Sequence, residues 1–132
     1  MQTPSGLIED NIPEDQSLVF NTSRGLIVLT GCGHAGIINI LTYAKQRFPS
    51  QSVYGVVGGL HLFAASDEQL NWTGDKLKEF RVANLLGAHC TGIEAVYRLR
   101  ERAGLTRQSA VVGSVGSTLT LGEGIRPGVL AR

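Results

Sequence analysis

The run GLIVLTG, Gly25–Gly31, is apolar from Leu26 to Leu29 and ends in a glycine. Such a run suits a strand covered on both faces, as in a parallel sheet flanked by helices. The next segment keeps to that plan: Ile37, Ile38, Leu41, Ala44 and Phe48 recur at helical spacing until Pro49 closes it. SVYGVVGG, residues 52–59, reads as the next strand. Ser66 with Gln69 three residues on makes a capping-box pattern, opening a helix that carries Leu70, Leu77 and Phe80. Gly74 weakens that helix by about 1 kcal/mol relative to alanine. VANLLGA, residues 82–88, is a third strand, and Thr91 with Glu94 repeats the capping-box pattern. Ile93, Val96, Tyr97 and Ala103 then mark one face of a helix that Gly104 ends.

The flanks complete the order. SLVF and GLIVLTG are separated by the turn formers of NTSR, so they read as a hairpin. SAVVGSV and STLTL, residues 109–115 and 117–121, read as one interrupted strand or a terminal hairpin. The expected class is α/β, with order β-β-α-β-α-β-α-β and a mixed sheet that is parallel in its middle. One domain spans residues 17–121, between an extended lead-in at 1–16 and a flexible tail at 122–132. A chain of 132 residues can bury a sizeable core without covalent staples.

With 17% charged residues and a formal net charge of +1, the chain has no basic stripe, which argues against nucleic acid as a partner. Its apolar runs are broken by glycine well short of the ~20 residues a membrane span needs. Two cysteines make no disulfide framework, and MQTPSGLIEDNIPEDQ has neither basic head nor apolar run, so a reduced, cytoplasmic protein is expected.

The chain has three histidines, and each comes after a strand: His34 after GLIVLTG, His61 after SVYGVVGG, His89 after VANLLGA. Right-handed crossovers keep parallel strands pointing the same way, and ligands in open α/β sheets bind outside their C-terminal ends. Three imidazoles would then share one edge, with Cys32 and Cys90 beside two of them, a donor set suited to a zinc-like ion. The plainer alternative is that the histidines are tolerated in loops and the cysteines are buried apolar thiols. Gly31, Gly33 and Gly36 also spell G-x-G-x-x-G after a strand and before a helix, the context of a dinucleotide-binding turn. That motif predicts an acid about 20 residues on, at the end of the next strand, and SVYGVVGGLHL has none.

Taken together, DQSLVFNTSRGLIVLTGCGHAGIINILTYA, VYGVVGGLHLFAAS and AHCTGIEAV resemble the C-terminal half of metallo-β-lactamase-fold hydrolases. The nearest branch is the dihydropterin-aminobenzene-ribofuranosyl-phosphate synthase-like one. The resemblance covers most of Asp15 to Leu121 and implies half of an αββα sandwich, a mixed sheet with its helices packed on one face. It also implies one or two metal ions, zinc or else manganese or iron, in a complete family member. A metal-bound hydroxide, made available because binding lowers the pKa of water toward ~7, would attack an ester, amide or phosphoester of a small-molecule substrate.

By motif, His89 matches the late histidine ligand and Cys32 stands where an acidic bridging ligand is common. His34 is a hallmark of the branch, and His61 in GGLHL ligates or supports a ligand. The superfamily's His-x-His-x-Asp-His run does not occur in the 132 residues, and Asp10 and Asp15, without neighbouring histidines, do not replace it. The expectation is therefore a truncated or split C-terminal portion with an incomplete active site, inactive alone. Its open sheet face would be covered by an N-terminal half domain or by a homodimer partner. The alternatives are a metal-free interaction or scaffold module of the same fold, or a Rossmann-like nucleotide-binding domain.

Overall fold

The computed structural model describes residues 2–3, 6–7 and 15–129. Asp10 and residues 130–132, parts of the expected lead-in and tail, lie outside the described residues. Within the lead-in, β1 (Gln2–Thr3) pairs antiparallel with β2 (Gly6–Leu7). The NTSR turn is tighter than its four letters suggest, because β3 (Ser17–Thr22) extends through Asn21 and Thr22 before the chain reverses into β4 (Gly25–Thr30). The Thr22 hydroxyl holds the reversal, donating to the Gly25 carbonyl at 2.6 Å and accepting from the Arg24 N–H at 3.2 Å.

From β4 onward the chain alternates strand and helix: α1 (Ile37–Arg47), β5 (Val53–Gly58), α2 (Asp67–Glu79), β6 (Leu85–Gly87), α3 (Ile93–Ala103) and β7 (Ala110–Val112). These strands form a five-stranded sheet in the order β3-β4-β5-β6-β7, parallel from β4 to β7 with β3 antiparallel at the edge. Because each crossover steps to the next strand in the same direction, right-handed connections place all three helices on one face. On that face Leu26, Val28, Val53, Val56 and Leu85 from the strands share one buried cluster with Leu41 of α1, Leu77 of α2 and Leu99 of α3. Full burial of each such side chain stabilises the fold by about 1.5–3 kcal/mol. The mixed α/β class expected from the sequence is observed, and so is the element order from β3 to β7, while the β1–β2 pair falls in a lead-in expected to be merely extended.

The end of the chain differs from expectation in one respect. SAVVGSV and STLTL do not pair with each other: β7 joins the main sheet, and β8 (Thr118–Thr120) pairs with β9 (Gly124–Arg126), beyond the expected domain end at Leu121. The cause is tertiary. Leu119 lies against the backbone of Gly55, where a Cβ would stand 2.6 Å from its Cδ2. The Tyr54 hydroxyl donates to the Thr120 carbonyl at 3.0 Å and accepts from the Gly122 N–H at 2.8 Å. The hairpin thereby covers part of the sheet face that the helices leave open.

Two helix starts with the same kind of sequence signal diverge. At α2 the capping box forms, Ser66 Oγ accepting from Gln69 N–H at 3.3 Å and Gln69 Oε1 from Ser66 N–H at 2.8 Å. At α3 the box expected from Thr91 and Glu94 does not form: Gly92 is the cap residue and no side chain caps it. Thr91 is fully buried and its hydroxyl is used elsewhere, accepting from Leu60 N–H at 3.1 Å and donating to the Ala88 carbonyl at 2.7 Å. The buried face of α3 is correspondingly Ala95, Val96 and Leu99, while Ile93 and Tyr97, expected on it, are exposed. Gly74 also acquires a reason, since a Cβ there would collide with Cβ of Arg102 on α3.

Candidate metal centre at the strand ends

The loops after β4, β5 and β6 meet at one edge of the sheet, backbone against backbone. Gly58 has φ +123°, and a Cβ on it would strike the Thr30 carbonyl oxygen. One on Gly59 would strike the Gly31 carbonyl and stand 3.0 Å from Cys90 Sγ. Hydrogen bonds use the proximity. Thr30 Oγ1 donates to the Gly59 carbonyl at 2.6 Å, Gly59 N–H to Gly31 at 3.0 Å, and Ala88 N–H to Gly58 at 2.9 Å. The N–H groups of Leu62 and Phe63 both donate to the Cys90 carbonyl, at 3.1 and 3.2 Å.

All three histidines lie in these loops, as expected from their positions after strands, and the fold sorts them. Cys32 Sγ lies 3.3 Å from His89 Nδ1. Cys90 donates its thiol to the Cys32 carbonyl at 3.2 Å, and the donor atoms of Cys32, His89 and Cys90 all lie within 4.8 Å of one another. His34 and His61 instead form an edge-on pair with ring centroids 4.5 Å apart, and His61 meets Phe63 edge-on at 5.4 Å. His61 and His89 both hold positive φ, +51° and +52°, a conformation non-glycine side chains rarely adopt and which gathers at functional sites. Cys32, His34 and His89 border a cleft of about 720 Å³, and Asp15 borders it too. Cys90, which the sequence set beside His89 but the family resemblance did not make a ligand, joins the cluster. Asp15, set aside in the sequence for want of a neighbouring histidine, borders the cleft and carries no local signal for that place.

Partial desolvation, then the neighbouring Cys90 thiol and finally the charge of Asp15 raise the Cys32 pKa above its ordinary value, so the metal-free thiol resists ionisation. A bound dication would reverse that preference, because coordination deprotonates a thiol outright. Two sulfur donors and one imidazole nitrogen within this span fit a zinc-type ion, for which cysteine and histidine are the common ligands.

The mixed sheet with helices on one face is a fold shared with a metal-dependent hydrolase of the β-lactamase superfamily. A crystal structure of one such hydrolase superimposes with a TM-score of 0.62 and 37% identity, over 65% of this chain and 33% of that one. A segment of 89 residues is 34% identical to 7,8-dihydropterin-6-methyl-4-(β-D-ribofuranosyl)-aminobenzene-5'-phosphate synthase of Methanocaldococcus jannaschii, covering 67% of this chain and 30% of that protein. An uncharacterised protein of the same archaeon is 34% identical over 96 residues, 71% of this chain and 34% of its own length. No family model matches the chain. By sequence and fold together the chain matches one portion of metallo-β-lactamase-fold proteins, about a third of the length of these relatives.

Proposed function

We propose that the chain is the part of a metal-dependent hydrolase that supplies metal donors from the C-terminal ends of its sheet, with Cys32 and His89 as ligands and Cys90 beside them. The observation that carries this is the 3.3 Å approach of Cys32 Sγ to His89 Nδ1, between residues 57 apart in the chain, from a backbone held at positive φ. Zinc is the preferred ion on the softness of the donors, ahead of manganese or iron. When bound, such an ion polarises a substrate oxygen and lowers the pKa of bound water. The chain's own residues hold the donors in place, and His34, whose ring meets that of His61 edge-on, borders the cleft where a small-molecule substrate would lie.

The other ligands of a complete site, in particular the His-x-His-x-Asp-His set, would come from a complementary N-terminal segment, without which the chain is inactive as a hydrolase. The relative named as a synthase forms, by its name, a pterin-linked ribofuranosyl-aminobenzene phosphate. For this chain the proposal extends only to a small-molecule substrate. Thiols kept free at Cys32 and Cys90 fit a reducing compartment, and we place the protein in the cytoplasm. No helix among the described residues is long and apolar enough to cross a membrane.

The test is metal uptake by the purified chain, measured by equilibrium dialysis against zinc and by cobalt absorption. The wild type should bind near one equivalent, and a Cys32→Ala, His89→Ala double variant should lose it. Equal uptake by both excludes these ligands. A metal-free interaction module is the second reading, favoured by the exposed row Leu18, Phe20 and Leu29 on the open sheet face. It requires that the folded wild-type chain take up no metal at all.

A further inference from the structure

In the turn that presents Cys32 and His34, the Cys32 carbonyl accepts from the Cys90 thiol at 3.2 Å and the Ala35 carbonyl from Asn39 Nδ2 at 2.8 Å. Gly33 and Gly36 within it adopt positive φ, and α1, the next element, begins without a side-chain cap. Within the turn, Gly36 N–H donates to the Gly33 carbonyl at 2.9 Å. From outside it, the Asp15 carboxylate reaches across from the residues before β3, its Oδ2 accepting from Ala35 N–H at 2.7 Å. Ala35 is the residue next to His34, and Asp15, Cys32, His34 and His89 border the same cleft.

We infer that Asp15 is a positioning residue for the candidate metal centre, its carboxylate pinning the Cys32–Gly36 turn so that Cys32 Sγ stands opposite His89. The role rests on the metal reading given above. Hydrogen bonds that orient metal ligands are typically worth 10- to 100-fold in metal affinity. Here the bond acts one step further back, on the backbone that carries the ligand. It is the acceptor oxygen that does the holding, so asparagine, whose amide oxygen also accepts from an N–H, should substitute where alanine does not.

The experiment is cobalt titration of the whole chain, read by the thiolate-to-cobalt charge-transfer band, in wild type, Asp15→Ala and Asp15→Asn. Circular dichroism establishes that each variant is folded, and amide exchange at Ala35 reports the bond directly. Asp15→Ala should bind cobalt about tenfold more weakly, with an altered band and faster Ala35 exchange, and Asp15→Asn should recover most of all three. Wild-type uptake with an unchanged Asp15→Ala variant overturns this role alone. An Asp15→Asn variant as impaired as Asp15→Ala also overturns it, because the negative charge and not the hydrogen bond would then matter. A wild-type chain that takes up no cobalt overturns the metal reading and this role with it.

Discussion

His89 combines a donor nitrogen with a backbone conformation that costs a non-glycine residue roughly 1–2 kcal/mol. Replacement by glycine removes both, so His89→Gly should leave stability unchanged or raised by up to about 1 kcal/mol while metal uptake falls. Urea denaturation beside cobalt titration reads the two effects separately, and a marked loss of stability would mean that the imidazole contributes packing which outweighs the strain. Cys32 offers a second prediction. Its pKa is raised by desolvation, Cys90 and Asp15, so the folded state holds the proton more tightly than the unfolded chain does. The stability this gives the metal-free protein is complete below the ordinary thiol pKa and is lost as pH rises through the raised value. Unfolding midpoints should therefore fall more steeply at alkaline pH in wild type than in Cys32→Ser. At neutral and alkaline pH, where its donors can deprotonate, zinc should slow alkylation of Cys32.

At the scale of elements, the two S/T-x-x-E/Q patterns show what a local signal can decide. Ser66 faces solvent and has no competing partner, so it caps α2 as its sequence says. Thr91 is drawn into the interior between β5 and β6, where the Leu60 N–H would otherwise lose its partner. Thr91→Val, close in shape, should cost about 1–3 kcal/mol through that buried donor, more than loss of an exposed cap at Ser66. Gly74→Ala tests helix packing in the opposite sense to propensity. Alanine favours the helix by about 1 kcal/mol, but its methyl would overlap Arg102 Cβ on α3, and overpacking of that kind costs about 1–3 kcal/mol. A net loss of stability is expected in thermal or urea unfolding, and a gain would show that α2 and α3 can separate freely.

For the whole molecule, the sheet has one face sealed by helices and the other only partly covered. The β8–β9 hairpin rests on Tyr54 and Gly55, while Leu18, Phe20 and Leu29 remain 59%, 50% and 37% exposed, with Leu18 directly opposite Leu29 on adjacent strands. An exposed apolar row of this kind is normally covered by something. The isolated chain should self-associate in a concentration-dependent way in sedimentation velocity. Leu18→Thr with Phe20→Thr, which places β-branched, strand-compatible residues at an edge, should yield a monomer with unchanged circular dichroism. A wild type that stays monomeric at high concentration would remove the case for a partner on this face.

Local sequence was enough for the order of strands and helices from β3 to β7 and for the placing of all three histidines after parallel strands, because hydrophobic period and turn residues are local properties of the chain. It also carried Ser66 and Gln69 to the correct helix start. Tertiary structure alone decided which side chains meet. Cys32 reaches His89, Cys90 joins them, His34 turns to His61, and Asp15 takes hold of Ala35. Those pairings depend on loops locked together by contacts such as Thr30 with Gly59 and Cys90 with Cys32, between residues 29 and 58 apart. The distances involved are set by how closely glycine backbones can approach once the strands are aligned, and no pattern within one segment encodes that.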